Sequence, residues 1–189
     1  MEKLLESYET LLNLSTQLRF LDALCDTAND EELCLRQIQI KNFFRTISFS
    51  KSVNDMSINY GLIIACSLLD EYNRFFTVEA APEYKERIVR LKRMTKPVLS
   101  RLKRWPDLKD YRNYMLAHNF RIKDKSFFSS KSQSFNFCVP NSYSEFKLLS
   151  ELLTTLVRCV SDQFPDLQEL RNQDVRMIDK SIYPSRRLM

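Results

Sequence analysis

Apolar residues recur at three- and four-residue steps along most of this chain, the spacing of one face of a helix. Leu4, Tyr8, Leu11, Leu18 and Leu21, with Leu5 and Leu12 beside them, predict a first helix over about 2–25, broken by TANDEE. The next stretch, about 31–47, is mixed. LCLRQIQI partly alternates as a strand does, while Ile40, Phe44 and Ile47 step as a helix does, and helix is the expectation. Residues 55–77 are apolar nearly all round, as suits a helix at the centre of a bundle, and Asp55 is the expected N-cap. Asp70 and Glu71 follow fourteen uncharged residues, where the helix either reaches the surface or finds a partner for a carboxylate.

EAAPEY restarts the chain, with Pro82 in a first turn. Tyr84, Ile88, Leu91, Val98, Leu102 and Trp105 then hold one face of a helix whose other faces are lysine and arginine, and Pro97 should kink it. The next helix begins at WPDLKD and runs through YRNYMLAHN. Residues 120–141 read as a long irregular loop, a length often tied to function, with a short strand-like piece at Phe135, Phe137 and Val139. Ser142 and Glu145 form a capping-box pattern ahead of a last helix. Its buried stripe is Phe146, Leu149, Leu153, Leu156 and Val160, and Pro165 ends it.

Composition sharpens this. The 189 residues contain one glycine, Gly61. Sandwiches and barrels need many turn residues that tolerate positive φ, and a phosphate-cradling loop needs several glycines. The expected fold is therefore all-α: a single-domain up-and-down bundle of about five to seven helices over 1–165, a long loop after the fifth, and a polar C-terminal tail over 166–189. Cys25, Cys34, Cys66, Cys138 and Cys159 are scattered and form no C-x-x-C, so they read as buried reduced thiols. With a single histidine the chain offers no zinc pattern, and neither a metal nor another cofactor is expected. The acidic, amphipathic N-terminus is not a signal peptide, and no apolar run approaches the ~20 residues of a membrane span. A cytoplasmic protein with no membrane partner is the expectation.

Charge is uneven. Residues 1–81 carry 7 basic and 12 acidic residues, 82–131 carry 15 and 5, and 132–189 carry 7 of each. The middle block is either a solvated helix face or a surface for a polyanion. Lys92, Arg93, Lys96, Arg101, Lys103 and Arg104 are the candidate residues of such a polyanion surface.

Within that block, DYRNYMLAHNF holds the only histidine, His118. It is either a core residue or a proton-transfer group. Imidazole titrates near neutrality, and guanidinium is always charged and forks onto phosphate oxygens. Together they suit cleavage of a phosphodiester that carries its own nucleophile, the 2′-hydroxyl of RNA. That reaction requires no metal, and DNA would not be cut. On a straight helix Arg112 and His118 stand about 120° apart with ~9 Å of rise. Either the arginine reaches round, the helix distorts, or two copies face each other. Tyr111, Tyr114, Met115 and His118 share one face. Tyr111 and Tyr114 either pack there or stack a base.

Arg112, Asn113 directly after it, and His118 five residues further, preceded by Ala117, resemble the HEPN superfamily signature of Arg, four to six residues, then His. YRNYMLAHN is most similar to the abortive-infection and toxin–antitoxin branch. The resemblance implies a compact α-helical domain and a metal-independent endoribonuclease acting in phage defence or as a toxin. It implies Arg112, Asn113 and His118 as catalytic residues, and an acidic residue on an earlier helix, Asp70 or Glu71, in contact with the motif. It further implies RNA as substrate, a homodimer whose two motifs form a composite active site, and an antitoxin protein as a further partner. The superfamily also has members that do not cut, so the alternative is a non-catalytic helical module that binds RNA or a protein.

Overall fold

In a computed structural model, the described residues are 2–40, 45–117 and 137–172. The chain forms α1 (Glu2–Ala28), α2 (Glu31–Cys34), β1 (Gln37–Ile40), β2 (Arg45–Ser48), α3 (Phe49–Phe75), a 3-10 turn (Pro82–Tyr84), α4 (Lys85–Leu102), α5 (Leu108–Ala117) and α6 (Tyr143–Gln163). A further helical stretch covers 165–172. The described residues are thus mostly helical, as the single glycine led one to expect.

Long-range contacts fix the directions of the helices. Tyr8 meets Ser161 and Asp26 meets Lys147, so α1 and α6 are antiparallel. Asn29 at the end of α1 bonds Ser50 and Asn54 at the start of α3, so this pair is antiparallel too. Arg87 pairs with Asp166 and Arg104 with Glu145, which sets α4 against α6. The result is an up-and-down bundle of α1, α3, α4 and α6, with α5 laid across α3.

The predicted stripes become the core. Leu11, Leu18, Leu91, Phe146, Leu149, Leu153, Leu156 and Val160 are fully enclosed. Each such side chain stabilises the fold by roughly 1.5–3 kcal/mol relative to exposure. Gly61 has a packing role, not a turning one. A Cβ there would stand 2.2 Å from Cε2 of Phe146, so the missing side chain lets α3 close onto α6.

Several expectations give way. The helix expected over 31–47 is instead a single turn, α2, followed by an antiparallel ribbon pairing Gln37 with Ser48, Ile38 with Ile47 and Gln39 with Thr46. The alternation of Gln37–Ile38–Gln39–Ile40 and the β-branched Thr46 and Ile47 outweigh the three helix-spaced residues. Asp55 is not the N-cap of α3, because the helix begins earlier and Ser48 accepts the N–H of Lys51. Residues 137–142 form no strand. The packed body also runs past 165: Leu167 is buried, and Asp166 takes Nη1 of Arg87 at 2.6 Å. At α6, Ser142 accepts the Glu145 N–H at 3.4 Å, while the Glu145 carboxylate reaches the N–H of Asn141 rather than that of Ser142. All five cysteines are free. Cys25 and Cys66 are buried as expected, but Cys34 and Cys138 are exposed and Cys159 is half-buried.

Candidate functional site

The site is built on α5 and α3. Tyr72, Leu68, Ala65 and Leu62 turn α3 into the core, so Asn59 and Asp70 fall on its flank. Leu108 anchors the start of α5, and its carbonyl accepts Sγ of Cys66 at 3.2 Å. That placement carries Tyr111 and Arg112 onto the same flank. The Tyr111 hydroxyl donates to Oδ1 of Asn59, and Nη1 of Arg112 pairs with Oδ2 of Asp70. Nη2 of Arg112 also donates to Oδ1 of Asn113 at 3.3 Å.

Arg112 is enclosed, its side chain only 16% exposed, while Asp70 is 54% exposed. The hydrogen bond to Asp70 holds the guanidinium even more firmly protonated than usual. Of the two carboxylates expected near the motif, the one that meets Arg112 belongs to Asp70. Glu71 is half-buried and lies one residue, about 100°, further round α3. Asn113 is exposed.

Tyr111 packs. Its ring lies edge-on to Phe137 with centroids 5.5 Å apart, and burial raises its hydroxyl pKa. The chain returning at 137 is tied to the same helix start: the Cys138 N–H donates to Oδ2 of Asp107 at 2.7 Å, and Cys138 Sγ to the Arg104 carbonyl at 3.3 Å. His118 and the side chain of Tyr114 lie outside the described residues, as does most of the expected loop.

The basic candidates do not form one surface. The ammonium of Lys92 sits 3.9 Å from the Tyr72 ring centroid, toward α3, and desolvation lowers its pKa to about 8. Lys92 is therefore half-buried and poorly placed to track a phosphate. Lys96 and Lys103 are exposed and follow at four and eleven residues, on the same flank as Lys92. Arg104 turns to the other flank, toward Glu145 of α6, and lies against Trp105. Helical spacing puts Arg101 on that α6 side and Arg93 between the two rows, both exposed.

Sequence reasoning missed the partner of Tyr111. Asn59 sits inside an apolar segment where nothing marks its side chain as directed at α5. Among the described residues no group of three or more His, Cys, Asp or Glu side chains is arranged to hold a metal, and no helix is long and apolar enough to cross a membrane. No family model, curated protein or solved structure matches this chain.

Proposed function

We propose that the chain is a metal-independent endoribonuclease that cleaves RNA by attack of its 2′-hydroxyl. The observation that carries this reading is the Arg112–Asp70 pair. An arginine of the Arg-Asn-x4-His motif is enclosed, permanently charged and oriented by a carboxylate from another helix. A guanidinium has five N–H donors, and its bonds to Asp70 and Asn113 leave others to fork onto a phosphate. Fixed before substrate arrives, it stabilises the charge that builds on the phosphorane without reorganising. His118 takes the 2′-hydroxyl proton or returns one to the leaving 5′-oxygen. Asn113 engages Arg112 through its carbonyl oxygen, which leaves its amide N–H₂ for the substrate. Asp70 acts through Arg112 as a positioning residue.

In this reading two copies assemble into a composite site. Support comes from an exposed apolar strip. Phe20 and Leu24 on α1 and Met56 and Tyr60 on α3 are all exposed, at 66%, 38%, 74% and 54%. The antiparallel register of α1 and α3 puts the two pairs level, and Tyr60 neighbours Asn59, which holds Tyr111. The setting proposed is phage defence or a toxin held by an antitoxin. The same strip also favours the rival reading, a non-catalytic module that docks a partner.

The test uses wild type, His118→Ala and Arg112→Ala with labelled RNA in EDTA. Cleavage by wild type leaving 2′,3′-cyclic phosphate ends, lost in both variants, supports the enzyme. RNA bound equally by all three and cut by none leaves only the module.

A further inference from the structure

We infer that the β1–β2 ribbon is a second RNA-docking surface, separate from the Arg112 site. This rests on the reading of the protein as an RNA-cleaving enzyme, and extends it to how the substrate is held. The first observation is charge. Residues 1–35 carry eight carboxylates and two basic residues. Residues 36–54 carry Arg36, Lys41, Arg45 and Lys51 and no carboxylate at all. The net negative charge of the N-terminal third conceals this switch, which coincides with the change from α1 and α2 to the ribbon.

The second observation is the register. Gln37 pairs with Ser48 and Gln39 with Thr46, so these four share one face, and Ile38 and Ile47 share the other. Arg36, Gln37, Gln39 and Thr46 are exposed, and so is Lys51 at the base of the ribbon. One face of the two-stranded sheet therefore presents amides and a hydroxyl, and the cations Arg36 and Lys51 stand at the base of the ribbon. Amides and hydroxyls exchange hydrogen bonds with base edges and sugar hydroxyls, while Arg and Lys neutralise phosphates. A solvated surface of ordinary composition would mix charge signs. The absence of acidic residues over this whole segment fits a polyanion as its occupant.

Which RNA follows from shape. The major groove of an RNA duplex is too deep and narrow for side chains, so a polar sheet face suits single-stranded RNA, whose bases are accessible. From Lys51 to Asp70, α3 rises about 28 Å. A long strand can touch both the ribbon and Arg112, whereas a dinucleotide cannot.

The test measures binding of a fluorescein-labelled 20-nucleotide single-stranded RNA with 2′-O-methyl sugars, which carry no free 2′-hydroxyl and so cannot be cut, by anisotropy across a salt series; the unmethylated 20-mer serves for cleavage. Arg36→Glu with Lys51→Glu should weaken binding at least tenfold. It should also reduce the salt slope by about 1.4, the loss of two single-strand phosphate contacts. Neither side chain is buried, and a carboxylate at position 51 suits the first turn of α3, so the fold should survive; circular dichroism checks this. Gln37→Ala with Gln39→Ala should weaken binding a few-fold and leave the slope unchanged. Cleavage of the 20-mer by the charge-reversed protein should show a raised KM and an unchanged kcat, and cleavage of a dinucleotide should be unaffected. Because binding is read without cleavage, an inactive protein that still shows the ribbon effect removes the enzyme reading and keeps the docking surface. Wild-type affinity and slope in the charge-reversed protein would overturn the inference. So would an RNA that fails to bind wild type, or duplex DNA that competes better than RNA.

Discussion

Two polar ties join neighbouring helices, and they are built differently. Between α1 and α6, Asp26 receives the Tyr143 hydroxyl and the Lys147 ammonium, the latter at 3.2 Å, and Lys147 also reaches the Tyr143 oxygen at 3.2 Å. Tyr143 and then Asp26 hold the lysine proton tightly, while burial helps push the tyrosine up to about 12. Lys147 and Asp26 are well exposed, so water screens them. Between α3 and α5 the cation is instead enclosed, its carboxylate faces water, and donors are left over. The first tie closes on itself. The second holds a charge in place and leaves it something to bind.

The largest expected effect breaks the second tie. Arg112→Ala should lower RNA cleavage by about 10³-fold or more, as losing a preorganised donor to transition-state charge does. Lys147→Ala, the matching change in the first tie, should leave cleavage unchanged and barely move the unfolding midpoint. If both variants cut alike, the distinction between the ties fails. Asp70→Asn should keep the shape and lose the charge that orients Arg112. A drop in kcat of up to about 10²-fold is expected, with KM little altered and RNA binding retained.

Smaller effects concern the frame. Gly61→Ala should cost about 1–3 kcal/mol by urea unfolding, because the new methyl meets the Phe146 ring, and the better helix propensity of alanine offsets only part of it. Phe146→Leu in the same protein should restore some of that loss. The smallest concerns Lys92, whose folded pKa of about 8 lies below its ordinary 10.5. Between those values the unfolded chain binds more protons, so stability rises with pH. Lys92→Met should be the more stable protein at pH 7, by of order 1 kcal/mol once partial exposure and the Tyr72 face are discounted. The advantage should shrink as pH rises through 8 toward 10.5. A constant difference across that range would contradict the assignment.

The frame was more legible than the site. Leu149, Leu153, Leu156 and Val160 announce α6 because burial selects apolar residues at helical spacing, and the same rule exposed α1 and α4. It failed at 31–47, where four-residue strands are too short to outvote a few helix-spaced residues. It also failed at Asp55, since Ser48 and Asp55 are equally good caps on paper and only the ribbon fixes where α3 starts. At the site, the resemblance offered Asp70 or Glu71 as the acidic contact of the motif. Choosing between them needed the azimuth of α3 relative to α5, which depends on how Leu62, Leu68 and Tyr72 pack and not on any local pattern. Lys92 and Arg104 looked equivalent to Lys96 and Arg101 for the same reason. A stripe of cations on one helix says nothing about the helix beside it.

The most direct test of the proposed chemistry is made on the substrate. An RNA oligonucleotide that wild type cuts at one bond in EDTA is remade with a single 2′-deoxynucleotide on the 5′ side of that bond. The account predicts that binding persists, cleavage at that bond disappears, and the unmodified RNA yields a 2′,3′-cyclic phosphate by mass spectrometry. Cutting of the deoxy-substituted bond at the original rate would contradict it.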